Sequence, residues 1–265
     1  MANHSSSNLS RAFSDFVTRG VCIAKKDARI YYFKPQIVGF GILIPAFVYL
    51  SFSLGREIPP NLLIPGLVGM VSLFGASSIE AIAIPIERQT ETWELLQIAP
   101  VSTLTIVFGK SLAGSAFGIM LSLITALGAV LLSGSTVTNP LMFVVAVIVG
   151  TFTFSALGML VAAAAKDMPT ANISLTALRL PMIFIGGVFM PIQALPLQLR
   201  VISYLTPLTY LVEALREAVA GPSIMFAIDA AVLLAWFIVL QSLAVLVLDK
   251  RSLTSRITIR SFLGK

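Results

Sequence analysis

ERQTETWELLQIAPVS, residues 87–102, is the longest charged interruption between two hydrophobic runs that are each long enough to cross a bilayer. Taken as one helix over 88–99, at about 100° per residue, it sets Glu87, Glu91 and Glu94 within about 60° of one another. Thr92, Trp93, Leu95, Leu96 and Ala99 fall on the other side. A short helix with one acidic and one apolar face, stopped near Pro100, is built to lie across a surface. A solvated loop is the plain alternative, but an idle loop has no use for Trp93 beside Leu95 and Leu96.

The flanks of this stretch define the class of chain. Of 265 residues 57% are hydrophobic and 11% charged, far below the quarter or so of charged residues in soluble domains, so a polytopic membrane protein is expected. Six stretches reach the roughly 20 apolar residues that a spanning helix needs: 36–54, 62–85, 103–132, 141–165, 170–190 and 224–248. The expected fold is therefore all-α, a six-span domain over 36–248 between a cytoplasmic segment (1–35) and a basic tail (249–265). With both termini in the cytoplasm, only Arg56, Arg200 and Arg216 of the 18 basic residues fall outside and Arg179 falls within a span. That asymmetry orients the chain in the cytoplasmic (inner) cell membrane.

The net charge of +6 comes mostly from the terminal segments, which marks membrane-surface charge rather than a nucleic-acid site. One cysteine, Cys22, excludes an internal disulfide, and His4 and Cys22 are too few to build a metal site. Residues 1–20 lack the apolar core of a signal peptide, so none is expected. Instead Leu9, Ala12, Phe13, Phe16 and Val17 form one helical face, with Arg11, Arg19, Lys25, Lys26 and Arg29 nearby, suited to lie in the headgroup layer against anionic lipid. Between Pro191 and Pro222 an apolar stretch too broken by Pro191, Pro196 and Pro207 to span should form short helices dipping back at the outer face.

Glu87, Arg88, Thr92, Glu94, Leu95, Leu96, Pro100, Gly109 and Lys110 together resemble the loop between the second and third spans of type-2 ATP-binding-cassette exporter permeases. The runs GGVFMPIQALP (186–196) and PLTYLVEALR (207–216), with Tyr210, Glu213 and Arg216, are similar to the re-entrant segment after the fifth span in the same family. The resemblance implies that residues 87–100 are the coupling helix, docked on a separate ATPase subunit that holds the ATP and Mg. It implies two ATPase copies, a second copy of this chain, and a path between the first, second and fifth spans. The amphipathic amino-terminal segment would then also touch the ATPase. Glu91 stands where the family commonly has Gly, which predicts a more acidic and stiffer helix.

Gly109, Lys110 and Ser111 do not form a phosphate loop, because the position five before Gly109 is Leu104 rather than glycine. Lys110 is expected to snorkel to the inner interface. Gly114 and Gly118 form a GxxxG that serves either a dimer contact or packing within the chain. Glu80 and Arg179 are the costly intramembrane charges, expected to line the path and either to pair with each other or, for Arg179, to meet an anionic cargo headgroup. The spans hold few aromatics besides phenylalanine, which favours a hydrophobic or amphiphilic cargo such as a drug or lipid-like compound over a polysaccharide or glycolipid. A secondary transporter or channel would show more mid-membrane charge, and an enzyme a catalytic cluster; no catalytic residue is expected here.

Overall fold

The computed structural model describes residues 2–53, 59–99, 101–134, 136–221 and 224–263. In chain order the helices are α1 (Ala2–Tyr31), α2 (Pro35–Val38), α3 (Ile44–Ser53), α4 (Pro60–Gln89), α5 (Thr92–Ile98) and α6 (Thr103–Ser133). They continue with α7 (Pro140–Ala164), α8 (Met168–Ile185), α9 (Leu197–Ser203), α10 (Pro207–Ala220) and α11 (Met225–Leu263). No strand occurs among the described residues. Five of these helices, α4, α6, α7, α8 and α11, contain stretches long and apolar enough to cross a membrane.

The stretch expected as the first span is helical from Pro35 to Ser53, but a π-helical turn at Gly39–Leu43 divides it. Pro45 supplies the cause: it has no N–H for the carbonyl of Gly41, and the ring would crowd that carbonyl in a regular α-helix. At the other end of the chain, α11 runs on through the expected basic tail to Leu263.

α4 occupies the centre. From Ile64 to Pro85 nearly every residue is buried, as expected of a helix apolar all round and enclosed by neighbours. Small residues let those neighbours approach. A Cβ on Gly118 of α6 would lie 2.7 Å from the Cβ of Ala76, and one on Gly158 of α7 would lie 2.5 Å from the carbonyl oxygen of Ser77. The Gly114/Gly118 motif thus packs α6 on α4 inside the chain. Hydroxyls tie the same contacts: Ser72 meets Ser122 at 2.7 Å, and Ser155 bonds the Glu80 carboxyl group at 2.8 Å.

Local signals set the helix starts. Ser102, Asn139 and Asp167 each accept the backbone N–H three residues on, and proline occupies the first turn of α7 and α8. The proline-broken stretch after α8 folds as a 3₁₀ turn (Ile192–Ala194), α9 and α10. α10 buries Leu208, Leu211, Val212, Ala214, Leu215 and Ala218 against the ends of α4 and α7, and Asn139 N–H bonds the Ala218 carbonyl at 2.9 Å.

Candidate functional site

The polar stretch that interrupts the spans is not one helix. α4 ends at Gln89, Glu91 adopts a left-handed conformation with φ of 58°, and α5 starts afresh at Thr92. Glu91 is the one non-glycine residue with positive φ among the described residues. Two hydroxyls stabilise the break: Thr90 donates to the Ile86 carbonyl at 3.0 Å and Thr92 to the Glu87 carbonyl at 3.2 Å, satisfying groups that a helix end leaves open. The position where the resembling family commonly carries glycine is thus the one whose backbone favours glycine. A joint stands here, where a stiffer helix was expected.

The break redistributes the expected faces. Glu87 does not share a surface with Glu91 and Glu94; it belongs to α4 and is 2% exposed. Trp93 turns inward, 7% exposed, and packs with Ile23, Ile84, Ile106 and Val107 of α1, α4 and α6. Leu96 is half-buried beside it. Leu95 and Ile98, 63% and 79% exposed, face outward together with Glu91, Thr92 and Glu94. The reason is phase: a left-handed residue resets the helical rotation, so a 100° count carried from Glu87 across Glu91 fails. Pro100 lies outside the described residues.

Beneath Trp93 lies a cluster of four charges. Lys110 Nζ sits 3.0 Å from Asp27 Oδ2 and 2.7 Å from Glu87 Oε2, while Lys26 Nζ sits 2.9 Å from Asp27 Oδ1 and also bonds Glu87 Oε1. Lys110 is fully buried, so it does not snorkel to the interface as expected. Two acids and two bases leave the group neutral, which lets charges persist away from water. The adjacent Tyr31 hydroxyl is pushed well above its ordinary range by burial, then by the carboxylates of Glu87 and Asp27. Gly109, Lys110 and Ser111 lie within α6, where their amides serve the helix and cradle no phosphate.

Arg88 closes the end of α7. Its guanidinium donates to the carbonyls of Ala165 at 2.9 Å and Ala163 at 3.3 Å, and lies 5.6 Å from the Trp93 ring. A cation at a helix C-terminus meets both open carbonyls and the negative end of the dipole. Of residues 87–100, expected to dock on a partner, Glu87, Arg88 and Trp93 therefore hold the chain together from inside.

Glu80 and Arg179 are both buried, but no ion pair joins them among the described residues. Arg179 donates to Ser77 Oγ from Nε and Nη2 at 3.1 and 2.7 Å, and from Nη2 to Ser78 Oγ at 3.1 Å. Its guanidinium carbon lies 4.9 Å from the Phe74 ring centroid. Both serines donate their own protons back to helix carbonyls, Ser77 to Leu73 and Ser78 to Phe74, which leaves their lone pairs for the arginine. Glu80 takes Ser155 instead.

In the segment after α8, Pro191 and Pro196 precede the 3₁₀ turn and α9, and Pro207 opens α10. The Tyr210 hydroxyl donates to the Tyr204 carbonyl at 2.8 Å, Arg216 pairs with Glu213, and Arg216 also holds the carbonyl of Gly187, a left-handed turn residue. Asp27 and Lys26 escaped the sequence reading as members of a site because their partners on other helices lie 60 or more positions away. The GK pair at 109–110 was the one signal that pointed to Lys110.

A family model described as ABC-2 type transporter matches residues 16–219, more than half of the chain. No curated protein matches it.

Proposed function

Because the chain belongs to the ABC-2 type transporter family, whose members are integral multi-pass membrane components rather than the ATPase, we propose that it is the transmembrane subunit of an ATP-driven exporter in the inner (cytoplasmic) membrane. Two copies work with two copies of a separate ATPase subunit, which holds ATP and Mg; both termini and α5 face the cytoplasm. The helical run Pro35–Ser53 completes six spans, and α9 and α10 dip back at the outer face.

The observation that carries this reading is α5. It is set off from α4 by a left-handed joint, and it turns Glu91, Glu94, Leu95 and Ile98 outward around an open cleft of about 590 Å³ lined by Thr90, Glu91, Glu94 and Leu95. An exposed pair of large aliphatics next to two carboxylates fits a groove that is apolar at its floor and basic at its rim. ATP binding closes the ATPases, moves α5, and opens a path between the copies.

α8 is the best support for where that path runs. It is as little covered by the rest of the chain as α11, yet it is the least apolar of the five candidate spans and α11 the most. Part of that difference is Arg179, which α8 turns inward, so its open face presents Ile173, Leu178, Leu180 and Phe184 and suits an apolar cargo or a second copy. Asn172, Ile173, Thr176, Ala177 and Leu180 line a groove there whose surface is almost wholly apolar and free of aromatics, which favours a hydrophobic or amphiphilic cargo over a sugar chain.

The test is Glu94→Arg. Reversing a charge at the rim of the docking groove should weaken copurification of the ATPase by tenfold or more while membrane insertion is unchanged. Undiminished copurification with parental ATP turnover in the assembled complex would overturn the assignment of α5.

A further inference from the structure

The Glu80 carboxyl group of α4 is 1% exposed and lies where α4, α6 and α7 meet. A glycine makes the room for it. A Cβ on Gly114 of α6 would fall 2.3 Å from Glu80 Oε1, 2.5 Å from Ser155 Oγ and 2.6 Å from the Ala76 carbonyl oxygen. Beyond Ser155 the polar contacts continue into α6 and α11: Ser155 Oγ also lies 2.8 Å from the Ser111 carbonyl oxygen, and Ser111 Oγ donates to Gln241 Oε1 at 3.0 Å.

The protons at hand decide the state of this carboxyl. Ser155 Oγ stands 2.8 Å from Glu80 Oε1 and 2.8 Å from the Ser111 carbonyl oxygen, both ordinary lengths for an O–H···O bond. A carbonyl oxygen has no proton to give and a serine hydroxyl has one, so two bonds among these three oxygens need a second proton. Glu80 is the member that can carry it. As a carboxylic acid it donates from Oε1 to Ser155 Oγ, and Ser155 donates to the Ser111 carbonyl. Oε2 agrees with this: it is buried and meets no hydrogen-bond donor among the described residues, which costs a neutral carbonyl oxygen far less than an ionised carboxylate.

The ionisable groups that face Glu80 are all engaged elsewhere. Lys110 of α6 is taken by Asp27 of α1 and by Glu87, Tyr32 gives its proton to the Ala113 carbonyl, and Arg179 of α8 is held by Ser77 and Ser78. α7 carries no ionisable side chain, and α10 meets α4 near Gly69, roughly 16 Å along the helix from Glu80.

We propose that Glu80 is a proton-binding site within the membrane domain, occupied while Arg179 rests on Ser77 and Ser78 and emptied when the guanidinium moves to the carboxylate. Ser77 and Glu80 are three apart on α4 and therefore neighbours on one face, about 4.5 Å apart along the axis, within the swing of an arginine side chain. In that step the O–H bond of Glu80 breaks with its electron pair left on Oε1, the proton leaves on a water molecule, and the arginine keeps its charge. A cation held by hydroxyls becomes half of a neutral ion pair. Any stroke that carries α8 this far along α4 expels a proton, and its reversal takes one up. The site is independent of how α5 docks.

The experiment is infrared spectroscopy of the full chain in lipid nanodiscs at neutral pH, reading the carbonyl stretch of protonated carboxyl groups and its downshift in heavy water. The parental band should lose one component in Glu80→Gln. Ser155→Ala should keep that component and move it to higher wavenumber, because the acid O–H loses its acceptor. Ser77→Ala with Ser78→Ala removes the serine acceptors of Arg179 and should cut the component to less than half, and adding Arg179→Met should restore it. If Glu80→Gln leaves the band unchanged, Glu80 is ionised and the proposal is overturned. A component that ignores Ser155→Ala overturns it as well, and that variant, which removes a single hydroxyl, decides the matter even where the serine pair does not fold. Parental intensity in the folded serine-pair variant would make Glu80 a permanently neutral structural acid and would also overturn the proposal.

Discussion

Arg179 should owe its place in the membrane domain to two serine hydroxyls of α4 rather than to a carboxylate. Ser77→Ala removes the acceptor of two of its hydrogen bonds, at 2.7 and 3.1 Å, and leaves the third, to Ser78, and the Phe74 ring in place. Hydrogen bonds to a charged group are worth about 1.5–3 kcal/mol, and one oxygen shared by two donors counts for little more than one such bond. Ser77→Ala is therefore expected to cost about 2–3 kcal/mol. In a background of Arg179→Met the same substitution should cost under about 1 kcal/mol, because nothing charged is left to strand. A coupling energy of about 2 kcal/mol follows. The assay is reversible unfolding in mixed micelles over the double-mutant cycle, with Ser122→Ala, which bonds Ser72 and shares no partner with Arg179, as the control. The control should be additive with Arg179→Met to within about 0.5 kcal/mol. Additive effects of Ser77 and Arg179 would refute the reasoning and move the arginine's support elsewhere.

Glu91→Gly should stabilise the chain by about 1 kcal/mol relative to Glu91→Ala, since both lose the side chain and only glycine relieves the left-handed backbone; unfolding of the two variants gives the difference directly. Gly118→Leu should destabilise by about 1–3 kcal/mol, because its Cβ meets the Ala76 Cβ and backbone, without changing the oligomeric state seen by light scattering. Tyr32 donates to the Ala113 carbonyl at 2.7 Å, and burial first, then Glu80 and Asp27, push its hydroxyl from 10.0 up to about 12. Its neutral form is the one the fold favours, so this contribution is complete below pH 10 and is lost as pH rises through about 12. Tyr32→Phe should flatten that part of the stability profile, and an unchanged alkaline slope would count against the bond.

What could be read from the chain alone is what depends on sums and on local period. An apolar content far above that of soluble proteins, in runs near the thickness of a bilayer, leaves few alternatives to a helical membrane domain, because lipid offers no partner to an unpaired backbone group. Proline and glycine likewise announced the broken segment after α8 and the end of the polar stretch. The helical count failed at Glu91 for a physical reason: one residue in a left-handed conformation is invisible to hydropathy and resets the phase of everything after it. That single torsion moved Glu87 from a docking face into a buried cluster and turned Leu95 outward. Pairings were equally beyond local reading, since depth along a helix says nothing of rotation about its axis. Arg179 found Ser77 and Ser78, Glu80 found Ser155, and Lys110 found Asp27, 83 positions away, through packing of α1, α4, α6, α7 and α8. The sequence by itself determined a membrane-embedded bundle with a surface element between two spans; only the tertiary structure decided which faces that element shows, because burying a charge demands a partner and partners are supplied by neighbouring helices.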